Sequence, residues 1–386
     1  MAPLGRGQYV FAGRAYTPVA GHAIRICFWH DDDDEGGSMA SRKRTAAQPH
    51  RVTMKDVARH AGVSQPTVSF VLNDRRDVSI AAETRSRVLE AAKELNFQPN
   101  RAAQSLRSNR SYTVGVIADR LVSQPYAGHI VLGVQQAVQE AGYVCFVVET
   151  APTTDGGKAA VENLVQQGVA GLIYAAPGPE YVTPVGGLDN VPTVFVNCFP
   201  PGDVPAVTVL ADEFQGGRDA AAAVFTAGHT NVAFLGGPED DYACRERKRG
   251  LESAAADANI DPATIRIQFG TFQVGSGYDL AMGVLANERP TAIICGNDRM
   301  AVGALMAAQS LGLRCPEDIS IVGFDDQPDL ADQMHPPLTT VALPHQQMGY
   351  DAGTLLLAET EQPGRHLVPC EYVPRSSLAA PRSEGT

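Results

Sequence analysis

The sequence predicts a chain in two parts: a small all-helical module, then a large α/β body built on two parallel sheets. After Ser111, apolar β-rich runs alternate with helical stretches, the pattern of parallel strands with helices on both faces. The charge is split in the same place. Residues 41–110 carry fourteen basic and six acidic side chains, whereas residues 111–386 carry fourteen basic and thirty-two acidic, within a net charge of −12. An acidic body repels a phosphate backbone, so any contact with nucleic acid is expected on the first module alone.

Residues 1–50 show no sustained periodicity, contain the run Asp31-Asp32-Asp33-Asp34-Glu35, and read as a disordered extension. The pattern tightens over 51–98. Thr53 caps a first helix, with Asp56 three residues on as in a capping box. Val57, Ala58 and Ala61 form its apolar stripe, and Gly62-Val63 breaks it. Ser64 caps a second helix, Gln65–Leu72, which tolerates Pro66 in its first turn and points Val68, Val71 and Leu72 inward. A polar loop leads to Ser79, expected to cap a third helix, Ala81–Leu95, whose inner face is Val88, Ala91, Ala92 and Leu95. Three short helices, the first two joined by a glycine turn, make a helix-turn-helix module. Residues 99–110 form a linker whose segment Arg101–Arg107 is too short to hold a helix unaided in water.

The body places strands at Thr113–Ala118, Val144–Glu149, Gly171–Tyr174, Thr193–Asn197, Ala206–Leu210, Val232–Gly236, Ile265–Phe269, Ala292–Cys295 and Ile319–Phe324. Helices fall between many of them, at Ile130–Glu140, Lys158–Gln167, Gln215–Ala227, Arg247–Asp257, Gly277–Ala286 and Met300–Leu311. So many strands imply two sheets, and two facing sheets leave a cleft beyond the carboxyl ends of their strands.

Composition excludes several classes. An apolar fraction of 44% with 19% charged residues describes a soluble globular chain. No run reaches the length of a membrane helix, and the opening segment does not parse as a secretory signal. Seven scattered cysteines without a CxxC fit reduced thiols in a cytoplasm. No P-loop, GxGxxG, nucleophile elbow or HExxH occurs, so no catalytic residue, metal or cofactor is expected. Asp325-Asp326 is an adjacent carboxylate pair, but neighbours on a strand point to opposite faces.

The run Thr53-Met54-Lys55-Asp56-Val57-Ala58-Arg59-His60-Ala61-Gly62-Val63-Ser64-Gln65-Pro66-Thr67-Val68-Ser69-Phe70-Val71-Leu72-Asn73 resembles the DNA-binding head of the lactose-repressor and galactose-repressor family. The likeness continues through Lys93-Glu94-Leu95-Asn96-Phe97-Gln98-Pro99-Asn100 and Ala102-Ala103-Gln104-Ser105-Leu106. In the body it returns at Gly236-Gly237-Pro238, Arg247 before Gly250, Gly296-Asn297-Asp298, Ile321-Val322-Gly323-Phe324-Asp325-Asp326 and Pro337-Leu338-Thr339-Thr340. The match runs in order over about 52–375.

The resemblance implies a homodimer, sometimes a tetramer, that binds double-stranded operator DNA and changes affinity when a small effector, a sugar, enters the cleft. It implies a periplasmic-binding-protein-like body, with one lobe over about 111–211 and 344–371 and the other over about 212–340 and 372–380. Residues 381–386 are left as a tail. Gln65, Pro66 and Phe70 fall where the recognition helix reaches base edges. Thr67, Ser69 and Asn73 fall where side chains steady the backbone, and Thr53, Ser64, Asn100 and Ala103 complete the expected contacts. Leu106 matches a leucine that wedges into the minor groove. Phe70 departs from the cationic or polar side chain of many relatives and is suited to pack on a thymine methyl, and Pro66 likewise offers only apolar contact. For the effector, the resemblance points to Arg247, Asp325, Asn297, Asp298 and Phe272 from one lobe, and Asp119, Tyr126 and Asn197 from the other. An ion pair between the lobes is the plainer role for Arg247 and Asp325, and Phe70 could serve as core. The implied function is a cytoplasmic repressor of carbohydrate-utilisation genes. The alternative is a sugar-binding receptor of the periplasmic type without DNA binding, against which the basic head argues.

Overall fold

In a computed structural model the described residues are 52–73, 75, 78–97, 111–121, 127–150, 156–182, 187–188, 191–202, 204–358 and 362–382. The expected extension over 1–50 and the linker lie outside them. The chain divides into two compact units, Met1–Gln98 and Pro99–Thr386.

In the first unit, α1 (Met54–Ala61), α2 (Gln65–Leu72) and α3 (Ala82–Glu94) close around Val57, Val68 and Val88, each fully buried. Thr53 opens α1 as expected: its backbone N–H and its hydroxyl both donate to one oxygen of Asp56, at 3.0 and 2.6 Å. Gly62 ends it at φ 65°, a left-handed conformation that suits glycine. Ser64 caps α2, its Oγ accepting from the Thr67 backbone N–H at 3.3 Å. The third cap departs from expectation. Ile80 packs against the core in non-helical backbone, so α3 opens at Ala82 behind Ala81, with no side-chain cap.

The second unit is α/β. Its larger sheet runs β11-β5-β4-β3-β1-β2, with all neighbours parallel. These strands are β1 (Thr113–Asp119), β2 (Val144–Thr150), β3 (Gly171–Tyr181), β4 (Thr193–Phe199), β5 (Val207–Ala211) and β11 (Gly364–Val368). On it lie α4 (Gly128–Glu140), α5 (Gly156–Gln166) and α10 (His345–Leu357). The smaller sheet runs β7-β6-β8-β9 and is also parallel, from β6 (Val232–Gly236), β7 (Arg266–Phe269), β8 (Ala292–Cys295) and β9 (Ser320–Val322). Its helices are α6 (Glu213–Thr226), α7 (Tyr242–Asp257), α8 (Val274–Asn287) and α9 (Asp298–Ser310). The chain passes between the lobes three times: from β5 to α6, from β10 (Thr340–Ala342) to α10, and from β11 to β12 (Glu371–Val373). Strands β10 and β12 pair antiparallel at the junction.

Every expected strand forms, although β3 runs on to Tyr181, past its expected end at Tyr174; most are covered on both faces and so read as continuous apolar runs. Elements β10, α10, β11 and β12 were not expected. Helix packing fixes the frame of the site: a Cβ on Gly217 of α6 would meet the Arg247 carbonyl oxygen at 2.3 Å, and one on Gly250 of α7 would meet that of Phe214 at 2.1 Å. Bare glycines let these two backbones touch. No helix among the described residues is long and apolar enough to cross a membrane.

Candidate functional sites: an exposed helix face and an interlobe cavity

On the head, the two faces of α2 differ. Val68 and Val71 are buried, while Gln65, Pro66, Thr67, Ser69, Phe70 and Asn73 are half-buried or exposed. Phe70 is not among the side chains that build the head core; its ring lies 5.9 Å from the Arg75 guanidinium carbon instead. An aromatic kept out of a small core leaves its surface available to a partner. Asn73 closes the helix, its Nδ2 donating to the Ser69 carbonyl at 2.7 Å and to the Ser69 Oγ at 3.3 Å. Asn100, Ala103 and Leu106 lie outside the described residues.

In the body, a cavity of about 310 Å³ opens between the two sheets, at the carboxyl ends of their strands. Asn197, Arg247, Phe272, Asn297 and Asp325 all line it. Asn197 lies within β4 at φ 54°, and its Nδ2 donates to the Ala176 carbonyl at 3.3 Å. Phe272 stands after β7 at φ 58°, its ring over Gly237, where a Cβ would meet ring carbons at 2.1 Å. Asn297 caps α9, Oδ1 accepting from the Met300 N–H at 2.9 Å, while Nδ2 donates to the Phe272 carbonyl at 3.1 Å. Asp325 follows β9 at φ 113°. Non-glycine residues in left-handed backbone cost energy and collect where a fold holds side chains for use.

Arg247 is the centre of the second lobe's wall. Its Nε donates to Glu213 at 2.7 Å and its Nη1 to the Gly296 carbonyl at 2.5 Å, with an Asp325 oxygen at 3.6 Å. The guanidinium carbon stacks 3.7 Å from the Phe324 ring centroid. Burial works against this cation, and Glu213 and Asp325 outweigh it, so its pKa rises. Burial also pushes the Asp325 carboxyl well above the usual range, against the pull of Arg247. The Arg247–Asp325 pair lies within one lobe, so it does not bridge the cleft.

Two expected residues stand off the wall. Asp298 is fully buried behind it, accepting from the Thr340 hydroxyl at 2.6 Å and the Gln327 N–H at 2.7 Å. Burial lifts its carboxyl to about 7. Asp119 sits behind Arg120 and accepts from it at 3.3 Å. Its neighbour reaches the cavity because the chain turns left-handed at Arg120, φ 54°. Tyr126 lies outside the described residues. The sequence reading missed Arg120, Glu180, Glu213, Asp241 and Arg299 on the wall. Glu213 and Asp241 sit at helix starts just past strands, a legible signal. Glu180 was hidden by Pro177-Gly178-Pro179, where β3 loses register with β4.

Residues 53–100 match the family model for bacterial regulatory proteins of the lacI family, and residues 221–378 match a periplasmic binding protein-like domain. The chain is 34% identical over 311 residues to an HTH-type transcriptional repressor PurR of Aliivibrio fischeri, covering 79% of this chain and 90% of that protein. It is similar to the lac repressor dimer bound to operator and the anti-inducer ONPF, with TM-score 0.67 and 30% identity over 85% of this chain and 99% of that one. A complex of the transcriptional regulator CelR with cellobiose gives TM-score 0.59 and 28% identity, over 85% and 100%.

Proposed function

The chain belongs to the lacI family of bacterial regulatory proteins, DNA-binding transcriptional repressors, and from that premise we propose that its operator affinity is set by a sugar held in the interlobe cavity. The observation that carries this reading is the convergence of Arg247, Asp325, Asn197, Asn297 and Phe272 on one cavity. Carboxylates accept from hydroxyls, guanidinium and amide groups donate to oxygen, and a ring face suits the C–H surface of a pyranose. Asp298 supports the site from behind instead of touching ligand, and Asp119 does so through Arg120.

On DNA, α2 enters the major groove, with Gln65, Pro66 and Phe70 toward the bases and Thr67, Ser69 and Asn73 toward phosphates. Leu106 wedges into the minor groove between paired linkers. The working unit is a homodimer on a pseudo-palindrome. Leu132, Val144 and Phe146 support that reading: they are about half exposed on α4 and the edge strand β2, an apolar surface suited to a second copy. Action on chromosomal operators places the protein in the cytoplasm, and its targets are genes of carbohydrate use.

The test selects an operator from a random duplex pool, then follows its binding by fluorescence anisotropy as neutral sugars are titrated in. Affinity should fall steeply with salt. A variant beginning at Ser111 should dimerise and bind the sugar yet hold no operator. Sequence-specific binding by that variant would overturn the division of labour, and an operator affinity unmoved by any sugar would overturn the effector reading.

A further inference from the structure

We propose that the effector is uncharged: the cavity is built to refuse phosphate and carboxylate groups. This rests on the cleft being the effector site and adds the charge class of what enters it.

The cations on the wall, among the described residues, are Arg120, Arg247 and Arg299. The undescribed stretches between residues 111 and 386 contain no lysine or arginine. Two of the three cations, Arg120 and Arg247, are held directly by carboxylates. Arg120 donates to Asp119 at 3.3 Å and also to Glu180. Arg247 donates to Glu213 at 2.7 Å, so its charge stays compensated even when Asp325 takes up a proton. Arg299 lies within electrostatic reach of Asp325. Glu180, Glu213 and Asp241 match the three arginines in number, and Asp325 adds a fourth carboxyl to the wall.

Helix N-termini are the other common anion sites; side chains cap α6, α7 and α9, whereas α8, whose first flanking residue Gln273 lines the wall, has no side-chain cap. Asp241 caps α7, accepting from the Cys244 N–H at 2.9 Å, so a full negative charge sits on that helix end at the wall. Asn297 closes α9 through the Met300 N–H at 2.9 Å, and Asp212 closes α6 through the Gln215 N–H at 3.0 Å. A phosphate approaching Arg120 or Arg247 would have to displace a carboxylate and then meet Asp241 and Glu180 in a partly dry site. A polyol loses nothing there, because its hydroxyls donate to the carboxylates and accept from the guanidinium groups without separating the pairs.

Calorimetric titration of inorganic phosphate at constant ionic strength tests this on the full chain. The wild type is compared with Glu180→Gln and with Glu180→Gln/Asp241→Asn, in which asparagine still caps α7. All carry the same head, so differences report the cavity. The double variant should bind phosphate at least tenfold more tightly than the wild type, with the single variant between. Variants that bind no better than the wild type overturn the proposal. So does wild-type phosphate binding that Arg120→Gln removes. Glucose with glucose 6-phosphate, and cellobiose with its 6′-phosphate, separate the two readings. A phosphate preferred over its parent sugar overturns the charge inference alone. Indifference to all four, with the gain of phosphate binding intact, overturns the sugar reading alone.

Discussion

Replacing Arg247 by alanine should damage stability and response together, and the two effects can be separated. The guanidinium is buried and holds Glu213, itself only 4% exposed, at 2.7 Å. Alanine leaves that carboxylate in a low-dielectric site with its charge unanswered, and strips the Gly296 carbonyl of a donor. Breaking a buried pair from one side costs about 3–5 kcal/mol, a large share of the roughly 5–15 kcal/mol that holds a domain together. At about 2–4 °C per kcal/mol for a unit of this size, the melting temperature of the body should fall by roughly 6–20 °C. Arg247→Met/Glu213→Leu removes both charges at similar volume and should recover most of the loss, since apolar replacement of a buried pair is often near neutral. Effector response should be lost in both variants, because the wall no longer offers the Arg247 guanidinium. Calorimetric melting reads the first effect and anisotropy on labelled operator the second. A double variant no more stable than Arg247→Ala would refute the electrostatic argument. A normal sugar response in the double variant would refute the place of Arg247 in the site.

Asp298→Asn should flatten a pH dependence. Burial holds the folded carboxyl at about 7, above the ~3.9 of an unfolded aspartate, so the native state keeps a proton that the unfolded chain gives up. Stability from this group is present below about pH 4 and is lost as pH rises through 7. The asparagine variant mimics the protonated group, so its melting temperature should gain on the wild type between pH 5 and 8; parallel curves count against it. Phe70→Ala should weaken operator binding about tenfold, ~1.4 kcal/mol, within the range of a base contact. The head should melt almost unchanged, and a collapse in its stability would return Phe70 to the core. Phe146→Asp should shift the protein toward monomer in sedimentation and abolish operator binding, and an unchanged dimer would move the interface elsewhere.

The legible parts of this molecule are those whose burial is local. Strands such as Val114–Ala118 and Val232–Leu235 are buried on both faces, so sequence alone exposes them as apolar runs. Strand β11 reads Gly-Arg-His-Leu-Val at a sheet edge with Leu367 half exposed, and β12 has three residues; neither length nor alternation marks them. Helix α10 has no charged residue in its first or last turn and no side-chain cap, so its ends carry no signal. In the cavity, Asn297 and Asp325 stand just past parallel strands, where polar residues face the cleft by construction, whereas Asn197, inside β4, was reached through the family resemblance alone. Two of the errors are one residue wide. Asp119 and Arg120 exchange places because Arg120 turns left-handed, and Asn297 takes the wall while Asp298 takes the interior. Such choices depend on backbone φ and on distant partners like Thr340, which no local pattern reports.

The position of Asp325 supplies a physical route from the cavity to the rest of the body. Its backbone N–H donates to Val341 at 2.8 Å and its carbonyl accepts from Leu343 at 3.1 Å, so the residue is stitched on both sides to the segment that crosses between the lobes. Asp298 fastens the same segment through Thr340. Glu213, the partner of Arg247, opens the helix that follows another crossing, and the Asp212 N–H there donates to Val368, beside the third crossing, at 2.9 Å. A ligand that shifts Asp325 or Arg247 therefore pulls on chain that both lobes share. Packed junctions of this kind yield by discrete rearrangement instead of gradual bending. The cavity need only favour one arrangement over the other by about 1–3 kcal/mol to change affinity elsewhere by roughly 5–150-fold. Gly217 and Gly250 hold α6 hard against α7, so Glu213 and Arg247 move as one body. The compliant points are then the crossings themselves, and a ligand's leverage is greatest where its contacts lie: one residue from the first crossing, at Asp212-Glu213, and hydrogen-bonded to the second, at Val341 and Leu343.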